Sequence, residues 1–110
     1  MRIMKLSIRD RINITLNLPS VGNREAIKNN ISIKEKLKLS EDEYSGIAIV
    51  GEQGMTKVYY SDHKKANDEL EFGLSDKELN YLKSVALNID KNGAFTEENL
   101  STFEKFLDLE

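Results

Sequence analysis

Apolar residues recur at helical spacing most cleanly in the last third of the chain. Leu79, Leu82, Val85, Ala86 and Ile89 share one stripe, which predicts an amphipathic helix. Ser75 and Glu78 have capping-box spacing at its start, and Leu74 and Leu79 stand where a hydrophobic staple needs them. Asp90, Lys91, Asn92 and Gly93 read as a helix stop and turn. A second helix is expected to open at Thr96. Phe95 and Leu100 are its staple, Glu97 and Glu98 face the positive end of its dipole, and Leu100, Phe103, Phe106 and Leu107 form its apolar face. The stretch Phe72–Glu110 therefore reads as a strand end followed by a helical hairpin that buries its stripes against each other and a third layer.

The same grammar, an apolar residue then a Ser or Thr cap, opens helices at Ser7 and Ser40. Met1 to Lys5 reads as a loose end or an edge strand. The helix after Ser7 has Asp10 at its third position and sets Ile8, Ile12 and Leu16 on one face, with Thr15 beside them. Leu18 and Pro19 stop it, because a residue before proline avoids helical geometry. Gly22 marks a turn, and Asn23 caps a helix expected over 24–37 with Ala26, Ile27, Ile31 and Leu37 inward. Asn29 and Asn30 weaken it, and Ile33 leaves the stripe. Ser40 and Glu43 form another capping box, opening a short helix ended by Ser45 and Gly46.

Ile47 to Val50 reads as a strand, and Gly51 to Gly54 as a turn. Thr56, Val58 and Tyr60 alternate with Met55, Lys57 and Tyr59 in strand fashion. Tyr59 and Tyr60 are expected on opposite faces of the sheet. Leu70 and Phe72 alternate with Glu69 and Glu71 in a further strand. Pairing it with 55–60 across a loop at Ser61–Asp68 gives an antiparallel hairpin. The fold class is α+β: N-terminal helices, a small antiparallel β-hairpin or sheet, and a C-terminal helical hairpin. At 110 residues the chain is expected to form a single domain, 1–110.

Charge changes the picture more than composition does. Residues 1–38 hold nine Lys or Arg against three Asp or Glu, a net of +6; residues 39–110 hold seven against sixteen, a net of −9. Two readings follow: basic helices packed beside acidic ones, or a basic segment facing a phosphate backbone or acidic partner. The first is favoured, since the basic residues are spread around their helices without interleaved aromatics. Under the second, Arg9, Arg11, Arg24 and Lys28 are the candidates for contact with nucleic acid or an acidic partner. The chain has no Cys, so disulfides, thiolate catalysis and Cys-based zinc sites are excluded. No N-terminal apolar run is long enough for a signal peptide or membrane span, so a cytoplasmic location is expected.

Candidate chemistry is sparse. Asn88, Asp90, Asn92 and Gly93 occupy the first, third, fifth and sixth positions of a calcium loop, and Phe95 the eighth. Asn99 stands at the twelfth, where a bidentate Glu is required, so turn chemistry accounts for the loop better than a metal does. His63, the single His, lies in a polar stretch with Asp62, Lys64 and Lys65, and no Ser is placed to serve it as nucleophile. Paired carboxylates such as Glu41 with Asp42 and Glu97 with Glu98 sit in first helical turns, where the dipole explains them. Neither catalysis nor a cofactor is expected.

Three helices followed by a β-hairpin is also the order of a winged helix, but the third helix carries Glu41, Asp42 and Glu43, which repel phosphate. Leu6 to Ile12, Leu18, Pro19, Gly22 and Asn23, with Lys36, Leu37, Leu39, Ser40, Glu41 and Glu43, resemble small proteins carried by bacteriophages and prophages. Leu74, Thr96, Glu97, Phe103, Glu104, Lys105 and Phe106 are similar to that pattern too. Such proteins are mostly of unassigned function, so the resemblance implies an origin more than a mechanism; a stable, cysteine-free domain with no site chemistry leads to the expectation of an accessory protein that binds another protein, a host or virion component. Nucleic-acid binding through the basic N-terminal half is the alternative.

Overall fold

A computed structural model of the chain describes residues 2–52 and 55–109. Met1 and part of the expected 51–54 turn, Gln53 and Gly54, lie outside the described residues, as does Glu110. The fold is α+β, with six helices and two small antiparallel sheets among the described residues. In chain order the elements are β1 (Arg2–Ser7), α1 (Ile8–Asn17), α2 (Arg24–Lys36), α3 (Glu41–Tyr44), β2 (Ile47–Glu52), β3 (Met55–Tyr60), α4 (His63–Asn67), β4 (Glu69–Leu74), α5 (Asp76–Lys91) and α6 (Leu100–Leu107).

The expected caps form. Ser7 with Asp10, Ser40 with Glu43 and Ser75 with Glu78 make reciprocal capping boxes, and the Asn23 side chain accepts from the Ala26 amide. Thr96 and Asn99 make the same exchange one turn ahead of regular α6. The Thr96 amide donates to Asn99 Oδ1 at 2.8 Å, and the Asn99 amide to Thr96 Oγ1 at 3.1 Å. Helical winding thus begins where Thr96 predicts. Gly93 ends the turn after α5 with φ +62°, a conformation in which a Cβ crowds the following carbonyl. Gly93→Ala is expected to cost about 1 kcal/mol, read from thermal unfolding.

Strand pairing departs from the sequence expectation. The Met55–Tyr60 strand pairs with β2 (Ile47↔Tyr60 to Glu52↔Met55), and the Glu69–Leu74 strand pairs with β1 (Arg2↔Leu74 to Ser7↔Glu69). The Ser61–Asp68 segment contains α4, capped by Asp62. A short connection between β2 and β3 wins over an eight-residue one, and β4 takes the N-terminal strand, whose Met4 and Leu6 are buried.

Two apolar clusters divide the interior. The larger joins Met4, Leu6, Ile14, Leu18, Ile33, Leu37 and Leu74 with the α5–α6 hairpin through Leu79, Leu82, Val85, Ala86, Phe103 and Phe106. The smaller sets Ile8, Ile12 and Leu39 under Ile47, Val58 and Tyr60 of the β2–β3 hairpin. Helix α1 therefore serves both clusters from different faces. This explains why Ile14 is buried and why Leu16, expected inward, is half exposed. On α2 the buried residues are Asn30 and Ile33, and Leu37 at its C-cap is buried as expected; Ile33 is 0% exposed and Ile31 is 55% exposed, the reverse of the expectation for those two. Asn30 anchors the α1–α2 connection by donating to the Pro19 carbonyl at 2.7 Å. Leu100 is likewise partly exposed, at 40%, and Phe95 packs on Phe103.

The two oppositely charged segments are tied together by Arg9–Glu98, Arg11–Glu43 and Lys36–Glu78 ion pairs. Asp10 completes the tie. It accepts from Thr102 Oγ1 at 2.6 Å and Lys105 Nζ at 2.6 Å while capping α1. Burial favours its neutral form, but Lys105, Thr102 and the Ser7 amide outweigh this and hold its carboxyl below the usual range.

Candidate functional site

Of the four basic candidates, the structure separates two from two. Arg11 is 3% exposed. Its guanidinium donates to the Leu37 carbonyl at 3.0 Å and the Lys38 carbonyl at 2.7 Å. It also forks onto the Glu43 carboxylate at 2.5 and 3.3 Å, and stacks over Phe72. Burial favours the neutral form of Glu43, but Arg11 and the Ser40 amide outweigh it and lower the acid's pKa. Arg11 is thus an internal latch fixing the α2–α3 connection. Arg9 is partly exposed and bridges Glu98, Asn67 and His63 Nδ1 while stacking over Tyr60. Burial pushes the Tyr60 phenol up to about 12, so it is neutral at ordinary pH. Arg24 and Lys28 are exposed on α2.

His63 is exposed as expected, but it opens α4, with Nδ1 3.2 Å from an Arg9 amino nitrogen. Of the calcium-loop residues, Asn88 and Asp90 lie in the last turns of α5 and Asn92 is its C-cap, and Asn99 is committed to Thr96. Among the described residues no group of three or more His, Asp or Glu side chains is gathered to hold a metal ion. No helix among them is long and apolar enough to cross a membrane.

What the sequence did not single out is a groove on the side of α1 away from α6. Arg11, Ile12, Thr15 and Leu16 of α1 form one wall, and Lys34 of α2 with Leu37, Lys38 and Leu39 of the connection form another. Tyr44 of α3 and Ile49 of β2 close it, around a volume of about 220 Å³. Ile12, Leu37 and Leu39 are buried, whereas Leu16, Tyr44 and Ile49 are 47–49% exposed. The Arg11 latch fixes the groove's shape by tying the 37–38 carbonyls and Glu43 to α1. Leu16 is a ridge: beyond it a more polar hollow is lined by Asn13, Asn17, Thr56, Val58, Tyr59 and Glu98.

An apolar groove with large, half-exposed side chains and a cationic rim is suited to a peptide segment. Leu16 and Ile49 share faces with the packed Ile12 and Ile47, so nothing in the sequence set them apart, and only the packing brings them together at the surface. No protein-family model, curated protein or solved structure matches the chain.

Proposed function

We propose that this chain is a small phage or prophage accessory protein that acts in the host cytoplasm by binding another protein, a host or virion component, without catalysis. The observation that carries the binding role is the groove: Leu16, Tyr44 and Ile49 stay half exposed around an apolar floor. The phage origin rests on the sequence resemblance alone, carried by residues between 6 and 43 and by Leu74 and residues 96–106. Truncating or charging groove residues tests binding without touching the buried core, because all three side chains are half exposed.

A second reading, nucleic-acid binding, draws on α2, where Arg24 and Lys28 are exposed four residues apart. It loses Arg11, which is buried, and its third helix is the four-residue α3 carrying Glu41, Asp42 and Glu43. One experiment separates the two. The tagged chain and its Leu16→Asp/Ile49→Asp variant are used to capture partners from lysate, with and without nuclease. Protein binding predicts a stoichiometric partner that survives nuclease and falls at least tenfold on the variant. Partners that vanish with nuclease, and persist on the variant, refute it in favour of the basic surface.

A further inference from the structure

We propose that the groove takes an extended segment of a partner protein, with alternating apolar and acidic residues, as an added strand on the free edge of β2. This rests on the docking role of the groove and specifies how the partner binds. In an antiparallel ladder, hydrogen-bonded and non-bonded pairs alternate. The Ser61 amide donates to the Gly46 carbonyl at 2.8 Å, and β2 continues in register from Ile47↔Tyr60. Gly46, Ala48 and Val50 therefore turn their amides and carbonyls toward β3. Ile47, Ile49 and Gly51 turn theirs the other way, where no strand pairs among the described residues.

That edge borders the groove. Ile49 lines it, whereas β3 residues line the hollow beyond the Leu16 ridge. The edge is also undefended. Residues 46–51 include neither a charge nor a proline, the devices that ordinarily keep strand edges from pairing. A Cβ on Gly51 would meet open space.

The shape and charge of the groove select the occupant. A helix with side chains is about 10 Å across, whereas a strand sits about 4.8 Å from its neighbour; about 220 Å³ suits the side chains of a strand. Lys34 and Lys38 stand on the rim, and neither ammonium has an acidic partner among the described residues, whereas Arg11 is taken up by Glu43. A strand presents alternate side chains to opposite faces. One set then reaches Ile12, Leu37 and Leu39, and carboxylates in the other meet the lysines.

The test is selection of random 12-residue peptides displayed on phage against the whole chain, followed by titration of the best peptide. Expected are sequences alternating apolar and acidic residues that bind at least tenfold more weakly to Lys34→Glu/Lys38→Glu. Ile49→Pro removes an outward amide without breaking the β2–β3 ladder, and should also weaken binding at least tenfold. On the unaltered chain, peptide should slow hydrogen exchange at the Ile49 and Gly51 amides, a readout that holds even if the proline variant misfolds. Peptides of helical period that bind Ile49→Pro normally and leave those amides fast overturn the strand mode but keep the docking groove. Peptides indifferent to Leu16→Asp overturn both. A solution mass of two chains that halves with Ile49→Pro makes a second copy the occupant and overturns the partner segment proposed.

Discussion

Arg11→Ala lowers stability by about 4 kcal/mol, read from urea unfolding midpoints. The substitution leaves a part-buried Glu43 without its fork, and leaves the buried Leu37 carbonyl and the part-buried Lys38 carbonyl without their donors. Breaking a buried pair by removing one partner costs more than the pair's net contribution, because the remaining charge is stranded. It also removes the guanidinium stacked on Phe72. Arg11→Lys recovers only part of this, since an ammonium cannot hold the planar fork and the two carbonyls at once. A loss below 1 kcal/mol would show that the α2–α3 connection holds without its latch. The nucleic-acid reading of Arg11 expects a different result, weaker binding at unchanged stability.

Glu78→Gln produces the largest pH-dependent change. Burial pushes this carboxyl up, but the Lys36 ammonium, the Ser75 amide and the Ser32 hydroxyl outweigh it and hold it at about 2, below its ordinary 4.5. The folded chain then binds fewer protons than the unfolded one between those values. The stabilisation is complete above pH 4.5 and is lost as pH falls toward 2. Its full size is about 3 kcal/mol. Glu78→Gln keeps a capping side chain but removes the charge, so it should cost about 3 kcal/mol at pH 6 and only about 1 kcal/mol at pH 3. A difference between the two proteins that does not change with pH would refute this role. Asp10 and Glu43, lowered for the same kind of reason, steepen the acid unfolding of both proteins.

Local grammar carried much of the fold into the sequence. Ser7, Asn23, Ser40 and Ser75 mark helix starts because their chemistry acts within three residues, and Gly93 marks a stop because its backbone conformation is its own. The α5 stripe was legible because one face of that helix meets one core. Pairing was not: β1 meets β4 across more than sixty residues, and nothing local in Met4 or Leu6 names a partner. The stripes of α1 and α2 misled for a related reason. Helix α1, packed on two sides, buries residues from two faces, so Ile14 went inward while Leu16 was left outside; on α2 the one buried stripe runs through Asn30 and Ile33, leaving Ile31 outside.

The candidate site shows the same division. Net charge made Arg9, Arg11, Arg24 and Lys28 look alike, and only geometry distinguishes a latch from a surface cation. The groove was illegible because it is assembled from α1, α2, the α2–α3 connection, α3 and β2, and its three half-exposed apolar side chains, Leu16, Tyr44 and Ile49, come from three different elements.

The most direct test of the docking role is a photo-crosslinking residue placed at Ile49, in the groove, or at Val21, which is exposed and does not line the groove. Each version is expressed in the cells where the chain naturally occurs and irradiated. The groove account predicts a discrete protein adduct from position 49 and none from position 21. Adducts of equal yield from both positions, or an adduct to nucleic acid in place of protein, would contradict it.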